Sequence, residues 1–546
     1  MLKKAKEKVK NWSLEHKTLS EILRFCIVGG LATVIDMFVM GLVLYIFSPS
    51  SYPSFFNVFL QRKYFLGECN MGTRIKDFIE KYYWIFFSVT LVFLAFLLFF
   101  KIGIYDVNDW DEARHGVNAY EMLKNNNYIA NYYAGHLDYW NLKPPISYYT
   151  IILGYKIFGY NPLGLRFFSA LSYIILAILV ALFIKKKSNK MASLISLLIF
   201  CGSFDFFKTH FVRAGDADAV FILFIGIAIL SLGLSSDNSN WYNLSFFMFA
   251  LAFLTKSWHA VAVLLIIFFY WLFTKGYKKL KWWQYFTCFL SAFIPLGLWA
   301  GLRYNFDGLK FFSEMINYDL LNRSSNPIEG HLGYPFFYTI QLIKNPTQIV
   351  SLIIFVGVLI VKLRKKEKFS DLDKLCLISF LSIFIIFAIA KTKLSWYIFP
   401  TCVPLTIVGS IYACEVYSSL ANKKKIQNVF KYLAMGFIII CIMASTVIVS
   451  IKKEDELQVF INTLNVNEGV IYYEVDNSTK VPQSILLCAE WKFDTIIKGQ
   501  EGYSAFENNV GSYIIMSKKD YNSKTISNSI EIIASSENYV FCYNKG

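Results

Sequence analysis

Residues 167–187 read Phe167-Phe-Ser-Ala-Leu-Ser-Tyr-Ile-Ile-Leu-Ala-Ile-Leu-Val-Ala-Leu-Phe-Ile184, followed directly by Lys185-Lys-Lys187. The run is long and uncharged, and a helix needs about 20 mostly apolar residues to cross the hydrocarbon core of a bilayer. Basic residues gather at the cytoplasmic ends of such helices. The stretch therefore predicts a membrane-spanning helix whose carboxyl end faces the cytoplasm.

Apolar runs of this kind recur along the chain. The 546 residues are 56% hydrophobic and only 17% charged, whereas soluble domains carry about 25% charged residues. The composition predicts an all-α polytopic membrane protein with about 11–13 transmembrane helices and helices in its outer-face loops. The other runs that carry this prediction are Trp84–Phe100, Val261–Phe273, Ile349–Val361, Leu375–Ala390 and Tyr432–Ile451.

The net charge of +16 is concentrated in short segments between the apolar runs. This distribution is the positive-inside pattern of membrane proteins, and no basic stripe is interleaved with aromatic residues, so we exclude nucleic acid as a partner. Alternation from these basic connectors places the long stretches 105–165 and 303–345 on the outer face. The basic segments are Lys185–Lys190, Lys275–Lys281, Lys362–Lys368 and Lys423–Lys425.

The composition changes after the last apolar run. Residues 456–546 are polar with short β-branched runs at Gly469–Val475, Ser512–Met516 and Ile530–Ala534, which predicts a small extracytoplasmic α/β domain. Its Cys488 and Cys542 would be able to form a disulfide in an oxidising compartment. We expect three regions: an N-terminal segment with one transmembrane helix (1–65), a membrane domain (66–455) and the extracytoplasmic domain (456–546).

The N-terminal segment contains Arg24-Phe-Cys-Ile-Val-Gly-Gly-Leu-Ala-Thr-Val-Ile-Asp36 and Asn57-Val-Phe-Leu-Gln-Arg-Lys63. These stretches resemble the start and the second helix of GtrA-like proteins, a family implicated in moving polyprenyl-linked sugars across membranes. The resemblance covers about half of such a domain. We therefore assign no function to it, and its topology stays open.

The first outer loop carries an ordered set of polar motifs. Acidic residues directly after a span are costly to desolvate and indicate function. The motifs are Asn108-Asp-Trp-Asp-Glu-Ala-Arg114, Glu121-Met122, Tyr139-Trp-Asn-Leu-Lys-Pro-Pro145, Phe158-Gly159 and Arg166-Phe167.

This ordered set resembles the GT-C type integral-membrane glycosyltransferases, specifically the superfamily of the lipid A aminoarabinose transferase (ArnT) and the protein O-mannosyltransferases. Those proteins share an acidic pair after the first helix, an Arg three residues after the first acid, and a Lys-Pro-Pro motif. The resemblance covers roughly residues 80–450. The resemblance implies transfer of a sugar, with inversion at its anomeric carbon, from a polyprenyl phosphate to an acceptor.

The resemblance implies roles for individual residues. Asp111 matches the general base, with Glu112 as its support. Arg114 and Lys143 match cations for the leaving phosphate, and later outer segments add further candidate cations. Those are Arg213, Lys256, Arg323, Lys391 and Lys393, and the candidates for acceptor binding or structural support are Asp218, His331 and Tyr397.

Two absences in the sequence bear on cofactors. Some relatives have an acidic residue before the loop lysine, where this chain has Leu142, and the six histidines are scattered. We therefore expect no required metal, with dependence on a divalent cation left open. No glycine fingerprint of a nucleotide site follows a strand, which favours a lipid-linked donor.

The sequence thus predicts a multi-pass glycosyltransferase of the cytoplasmic membrane with its active site on the extracytoplasmic face. Its partners would be membrane lipid, a polyprenyl-phosphate sugar as donor, and a lipid, glycan or protein hydroxyl as acceptor. The main alternative is a flippase or transporter of lipid-linked sugars, but transporters place ionisable groups near the midplane on broken helices. A purely structural partner of an envelope pathway is a third reading.

Overall fold

A computed structural model describes residues 77–546, apart from Thr209, Leu332, Pro335 and residues 452–453, 466–468 and 498–501. Residues Phe78–Gly546 form one compact unit. The N-terminal segment 1–65 and its GtrA-like resemblance lie outside the described residues. The three-region division of the chain stays a prediction.

Helices dominate the described residues. In chain order they are α1 (Tyr83–Phe99), α2 (Asp111–Lys124), α3 (Ile146–Phe158), α4 (Pro162–Lys187), α5 (Lys190–Gly202), α6 (Asp218–Leu234), α7 (Trp241–Lys256), α8 (Val261–Thr274), α9 (Trp282–Asp307), α10 (Lys310–Glu314), α11 (Arg323–Ser325), α12 (Phe337–Ile343), α13 (Pro346–Arg364), α14 (Asp371–Ile389), α15 (Cys402–Ser419), α16 (Lys424–Ser450), α17 (Glu456–Thr463), α18 (Gln483–Phe493), α19 (Tyr503–Glu507) and α20 (Lys518–Ser523). A π-helical turn, Met315–Asn322, joins α10 to α11.

The apolar helices confirm the polytopic membrane fold. Seven segments of the described chain are long and apolar enough to cross a membrane, and α1, α5 and α6 are shorter apolar helices. One of the seven, Trp241–Thr274, is a hairpin of α7 and α8 that turns at Ser257–Ala260. The two helices run antiparallel, because the ring of Trp271 near the end of α8 lies 5.4 Å from that of Tyr242 at the start of α7.

The local sequence explains where the span α4 begins and ends. Asn161 caps its amino end, its side chain accepting a hydrogen bond from the Gly164 N–H at 3.0 Å, and Pro162 occupies the first turn. The last turn holds Lys185–Lys187, whose charges suit the negative end of the helix dipole.

Basic connectors gather at one end of the helix bundle, which we call the basic end. Lys186 and Lys187, in the last turn of α4, contact Asp237 after α6 at 2.9 and 3.1 Å. Lys362 of α13 contacts Asp373 of α14 at 2.7 Å. The first outer loop lies at the opposite end, because the neighbouring helices run antiparallel. The predicted alternation of the chain agrees with this arrangement.

The carboxyl-terminal residues carry a four-stranded sheet. Its strands are β3 (Ile471–Glu474), β4 (Tyr513–Ser517), β5 (Ile530–Ser535) and β6 (Tyr539–Asn544), in the order β3-β4-β6-β5, after a small hairpin of β1 (Tyr132–Tyr133) and β2 (His136–Leu137) in the first loop. β3 and β4 are parallel and the other pairs antiparallel. This confirms the small α/β region at the carboxyl end, including the three predicted strands.

Cys488 and Cys542 are both buried, free thiols, so the disulfide considered from the sequence is absent. Cys488 of α18 packs in the cluster that contains Phe541, whereas Cys542 packs in another cluster with Tyr503. Successive residues of a strand point to opposite faces of the sheet, so the side chain of Cys542 points away from α18.

The carboxyl-terminal domain packs directly on the first outer loop. Gln458 of α17 exchanges two hydrogen bonds of 2.9 Å with the backbone of Val107. Helix α18 lies against α2 so closely that a Cβ added at Gly116 would come within 2.4 Å of a methyl carbon of Leu487. The loop and the domain therefore share one hydrophobic core.

Candidate active site

Helix α2 presents Asp111 in its first turn, at the positive end of the helix dipole. The side chain is 38% exposed, so a substrate can reach it. One turn later, Nδ1 of His115 lies 2.6 Å from the carbonyl oxygen of Asp111. A carbonyl only accepts hydrogen bonds, so this ring nitrogen carries the proton.

His210 and Asp216 approach Asp111 from the loop before α6. Nδ1 of His210 lies 3.9 Å from a carboxylate oxygen of Asp111 and 3.8 Å from one of Asp216. Trp396 stacks on the imidazole, with ring centroids 4.3 Å apart, and so fixes its plane. We call Asp111, His210 and Asp216 the carboxylate–histidine cluster.

The cluster is electrostatically coupled. Burial opposes the charged form of His210, but Asp216 and Asp111 outweigh it and raise the pKa of the imidazole above its ordinary 6.5. Burial likewise opposes ionisation of Asp216, and the nearby His210, His115 and Lys256 hold the pKa of its carboxyl below the ordinary range. The two carboxylates therefore favour the protonated form of His210.

The same cluster is the candidate metal-binding group of the described residues. Its three ligand atoms lie within 4.8 Å of one another. Imidazole nitrogen and carboxylate oxygen suit zinc, manganese or iron. The fold creates this group from residues distant in sequence, and the expectation that no metal is required stays a prediction.

A second cluster, of cations, forms where the first loop meets the second long outer stretch. Lys143 and Arg323 both face the buried carboxylate of Asp319, whose pKa they lower against the opposing effect of its burial. Nε of Arg323 lies 3.2 Å from Asp319, and the hydroxyl of Ser257 donates to the same carboxylate at 2.5 Å. No carboxylate of the described residues lies within ion-pair distance of Lys143.

Lys256 and Tyr397 complete the cation cluster. Lys256 Nζ lies 2.5 Å from Asp218 and 5.0 Å from the centre of the Tyr397 ring, and the Tyr397 hydroxyl accepts from Arg323 at 3.3 Å. The structure thus brings together five residues singled out from the sequence. They are Lys143, Asp218, Lys256, Arg323 and Tyr397.

Glu112 is buried among protein partners and holds the scaffold together. It is 1% exposed and pairs with Arg166 of α4 at 2.6 and 3.0 Å. It also accepts from the backbone N–H of Asn108 and Gly215, at 2.9 and 2.8 Å. Burial would raise its pKa, but Arg166 and these donors lower it, so the carboxylate stays ionised and ties α2 to α4 and to the loop carrying Asp216.

Three predicted phosphate ligands are occupied elsewhere. Arg114 forms a two-point ion pair with Asp138, at 2.9 and 2.8 Å. Arg213 donates to the backbone oxygens of Leu97, Leu98 and Phe100 at the end of α1, at 2.6 to 3.2 Å. Lys393 Nζ donates to the Phe387 and Ala388 carbonyls at the end of α14. Arg213 and Lys393 therefore act as helix C-caps.

Two other predicted residues, His331 and Lys391, form backbone hydrogen bonds with different partners. The carbonyl of His331 accepts from the N–H of Lys393 at 3.1 Å, and Lys391 donates its N–H to the Ser324 carbonyl at 3.1 Å. These bonds join the second outer stretch to the segment before Tyr397.

Sequence reasoning missed His210, Asp216, Asp138 and Asp319. Asp216 stands two residues before Asp218, which is one of the candidates named from the sequence. His210 has φ +67°, a left-handed conformation that turns its ring back toward Asp111. One signal in the sequence pointed to Asp216. Segment 216–218 holds two acidic residues directly before a span, and either of them could have been the functional carboxylate.

Comparisons with known proteins agree with this architecture. Residues 142–299 match the family described as dolichyl-phosphate-mannose-protein mannosyltransferase. The chain is 27% identical over 408 residues to an undecaprenyl phosphate-alpha-4-amino-4-deoxy-L-arabinose arabinosyl transferase of Wigglesworthia glossinidia brevipalpis, covering 71% of this chain and 68% of that one. It is 26% identical over 346 residues to an uncharacterized protein of Aquifex aeolicus, covering 63% of this chain and 66% of that one, just under two thirds of that relative's length.

Among solved structures, the fold is similar to that of ArnT from Cupriavidus metallidurans bound to undecaprenyl phosphate. The TM-score is 0.61 at 14% identity, over 84% of this chain and 97% of that one. At this identity the similarity shows the fold.

Proposed function

We propose that the chain is a glycosyltransferase of the GT-C superfamily of ArnT and the protein O-mannosyltransferases, and that it transfers a sugar from a polyprenyl phosphate to an acceptor hydroxyl. The acceptor is a lipid, a glycan or a protein. The reaction takes place on the outer face of the cytoplasmic membrane. Support for this sidedness comes from the basic end, which the positive-inside rule assigns to the cytoplasm.

The cation cluster carries the proposal. Lys143, Lys256 and Arg323 gather around two buried carboxylates, Asp218 and Asp319. Lys143 is the half-buried member without an ion pair among the described residues, and we assign it to the donor phosphate. Arg323 and Tyr397 lie beside it as further donors. They replace Arg114, which Asp138 neutralises.

Asp111 is the proposed general base. It accepts the proton of the acceptor hydroxyl as that oxygen forms a bond to the anomeric carbon of the donor sugar. The bond between the anomeric carbon and the phosphate oxygen breaks, and polyprenyl phosphate leaves with an added negative charge. Fixed cations stabilise this charge most in the transition state, where it develops. Attack opposite the departing phosphate gives inversion at the anomeric carbon.

Purified protein in detergent tests the assignment. The donor is undecaprenyl phosphate carrying 4-amino-4-deoxy-L-arabinose, the acceptor is an outer-envelope lipid extract, and mass spectrometry follows the product. We expect Asp111→Asn to lower turnover by about 10²- to 10⁴-fold, the usual contribution of a general base, while undecaprenyl phosphate still binds. Unchanged turnover in this variant would remove Asp111 from the role.

Lys143→Met supplies the complementary variant. We expect it to weaken binding of undecaprenyl phosphate, because a charge-assisted contact to the phosphate is lost. Lys156→Met on the exposed side of α3 is the matched control, since Lys156 contacts Tyr128 rather than either cluster. Equal binding by all three proteins would contradict the phosphate assignment. Transfer in detergent, where no sidedness exists, also distinguishes an enzyme from a flippase.

A further inference from the structure

A cavity of about 440 Å³ opens between the first outer loop and the turn that follows α10. Its walls include Arg114, Tyr133, Asp138, Trp140, Glu314 and Tyr318. The assignment of the two clusters uses none of these side chains. The volume falls within the range of small-molecule sites, which are about 300–1,000 Å³.

The wall of the cavity is held rigidly in place. The Arg114 guanidinium lies 3.5 Å from the centre of the Tyr133 ring and 4.8 Å from that of Trp140. Asp138 binds Arg114 at two points and also accepts from Asn118 Nδ2 and from the Trp140 N–H, both at 2.9 Å. Arg114 thus covers one face of the Tyr133 ring and fixes both rings in place, and a rigid wall lowers the entropic cost of binding.

The chemistry of the lining selects the ligand. Aromatic faces pack against the C–H groups of a sugar ring, while carboxylate and guanidinium groups bond its hydroxyls. Asp138 neutralises Arg114, and the exposed Glu314 adds a negative charge, so the cavity disfavours a phosphate. A prenyl chain would leave this ion pair facing hydrocarbon, which is costly.

The cavity lies beside both clusters. Arg114 is one helical turn after Asp111, and Trp140 precedes Lys143 by three residues. Tyr318 is adjacent to Asp319, which faces Lys143 and Arg323. We propose that this cavity is a sugar subsite that holds a pyranose ring, of the donor or of the acceptor, next to the reaction centre. The role of the subsite in transfer rests on the proposed function, whereas the class of ligand that it binds rests on the residues that line the cavity.

Direct binding tests the subsite without any transfer. Saturation-transfer NMR on the full chain in detergent uses methyl α-D-glucopyranoside and methyl α-D-glucosaminide. Both glycosides are supplied at millimolar concentration, because a monosaccharide held by few contacts binds with a Kd in about that range. We expect both glycosides to give signals that Trp140→Ala abolishes. Trp282→Ala is the matched control, because Trp282 is 82% exposed at the start of α9 and outside the cavity. No signal from the unmodified chain, or equal signals from all three proteins, overturns the subsite.

Two further variants keep the test independent of misfolding. Trp140→Phe retains an aromatic face and should retain the signals. Glu314→Gln changes an exposed side chain and should weaken the glucosaminide signal more than the glucoside signal, because it removes the carboxylate that pairs with the ammonium group. Equal weakening of the two glycosides by Glu314→Gln, or loss of binding in Trp140→Phe, contradicts the assigned contacts.

Transfer kinetics then identify which substrate supplies the ring. Trp140→Leu should raise one KM about tenfold with little change in kcat, since aromatic contacts of this size are worth roughly that factor. A higher KM for the donor assigns the subsite to the donor sugar, and a higher KM for the acceptor assigns it to the acceptor. Unchanged KM values for both overturn the subsite. A chain that binds glycosides but transfers nothing would instead overturn the proposed function.

Discussion

Glu121 of α2 and Glu490 of α18 bring two carboxyl groups together in the interface between the first outer loop and the carboxyl-terminal domain. Both side chains have no exposed surface. Burial raises the pKa of Glu121 to about 7, and burial together with the charge of Glu121 raises that of Glu490. Two carboxylates in such surroundings retain a proton between them at a pH where exposed glutamates are ionised.

The stability of this interface should therefore depend on pH. Below the ordinary glutamate pKa of 4.5, the pair is protonated in the folded and unfolded chain and contributes fully. As the pH rises from 4.5 towards 7, the unfolded chain releases its protons first, so the folded state loses stability. We expect the midpoint of thermal unfolding to fall across this window. Glu490→Gln should flatten the profile, because an amide donates a hydrogen bond at every pH.

Glu507→Gln is the matched control for this profile, since Glu507 is an exposed glutamate in the same domain. It should reproduce the pH profile of the unmodified chain. A profile that Glu490→Gln leaves unaltered would show that the pair does not titrate in this window.

Loss of the Glu112–Arg166 ion pair should lower the stability of the fold, because both residues are buried and hold helices together. Removing either partner leaves a buried charge unpaired, which costs about 3–5 kcal/mol of unfolding free energy. We expect Glu112→Ala and Arg166→Ala each to lower the midpoint of thermal unfolding, and the double variant to be less destabilised than the sum. Additive effects in that cycle would argue against a coupled pair.

Metal removal and pH together probe the carboxylate–histidine cluster. We expect transfer to survive treatment with EDTA, because protonated His210 supplies positive charge between the two carboxylates. Since the pKa of His210 lies above 6.5, activity should fall on the alkaline side of that value as the imidazole loses its proton. His210→Asn should remove this limb of the pH–rate profile. Inactivation by EDTA that Mn²⁺ or Zn²⁺ reverses would contradict the prediction and assign the cluster to a cation.

Cysteine labelling tests the orientation in the membrane. Trp110, beside Asp111, is 58% exposed, and Lys366 is exposed in the basic connector after α13. A membrane-impermeant maleimide should label Trp110→Cys in intact cells and Lys366→Cys only after permeabilisation. The unmodified chain is the background control, because the described cysteines are buried apart from the half-buried Cys414. The reverse labelling pattern would invert the orientation.

The sequence predicts the helical architecture and much of the cation cluster, because apolar runs and basic connectors are local signals. Lys143, Arg323 and Tyr397 came from motif positions, and the fold brings them together. Arg213 and Lys393 resemble phosphate ligands in sequence, but their partners are backbone carbonyls at helix ends, which no side-chain pattern reveals. His210 depends on a left-handed turn, and the strand β6 was missed among aromatic residues at the end of the chain.

Docking of α18 on α2 has a consequence for how this protein is made. The ribosome completes every described membrane helix before it synthesises the residues that cover the helix carrying Asp111. Insertion into the bilayer and assembly of the reaction centre are therefore separate stages of biogenesis. A chain that terminates prematurely after α16 would still insert into the membrane. Its helix α2 would lack the packing of α18, and we expect such a chain to be inactive.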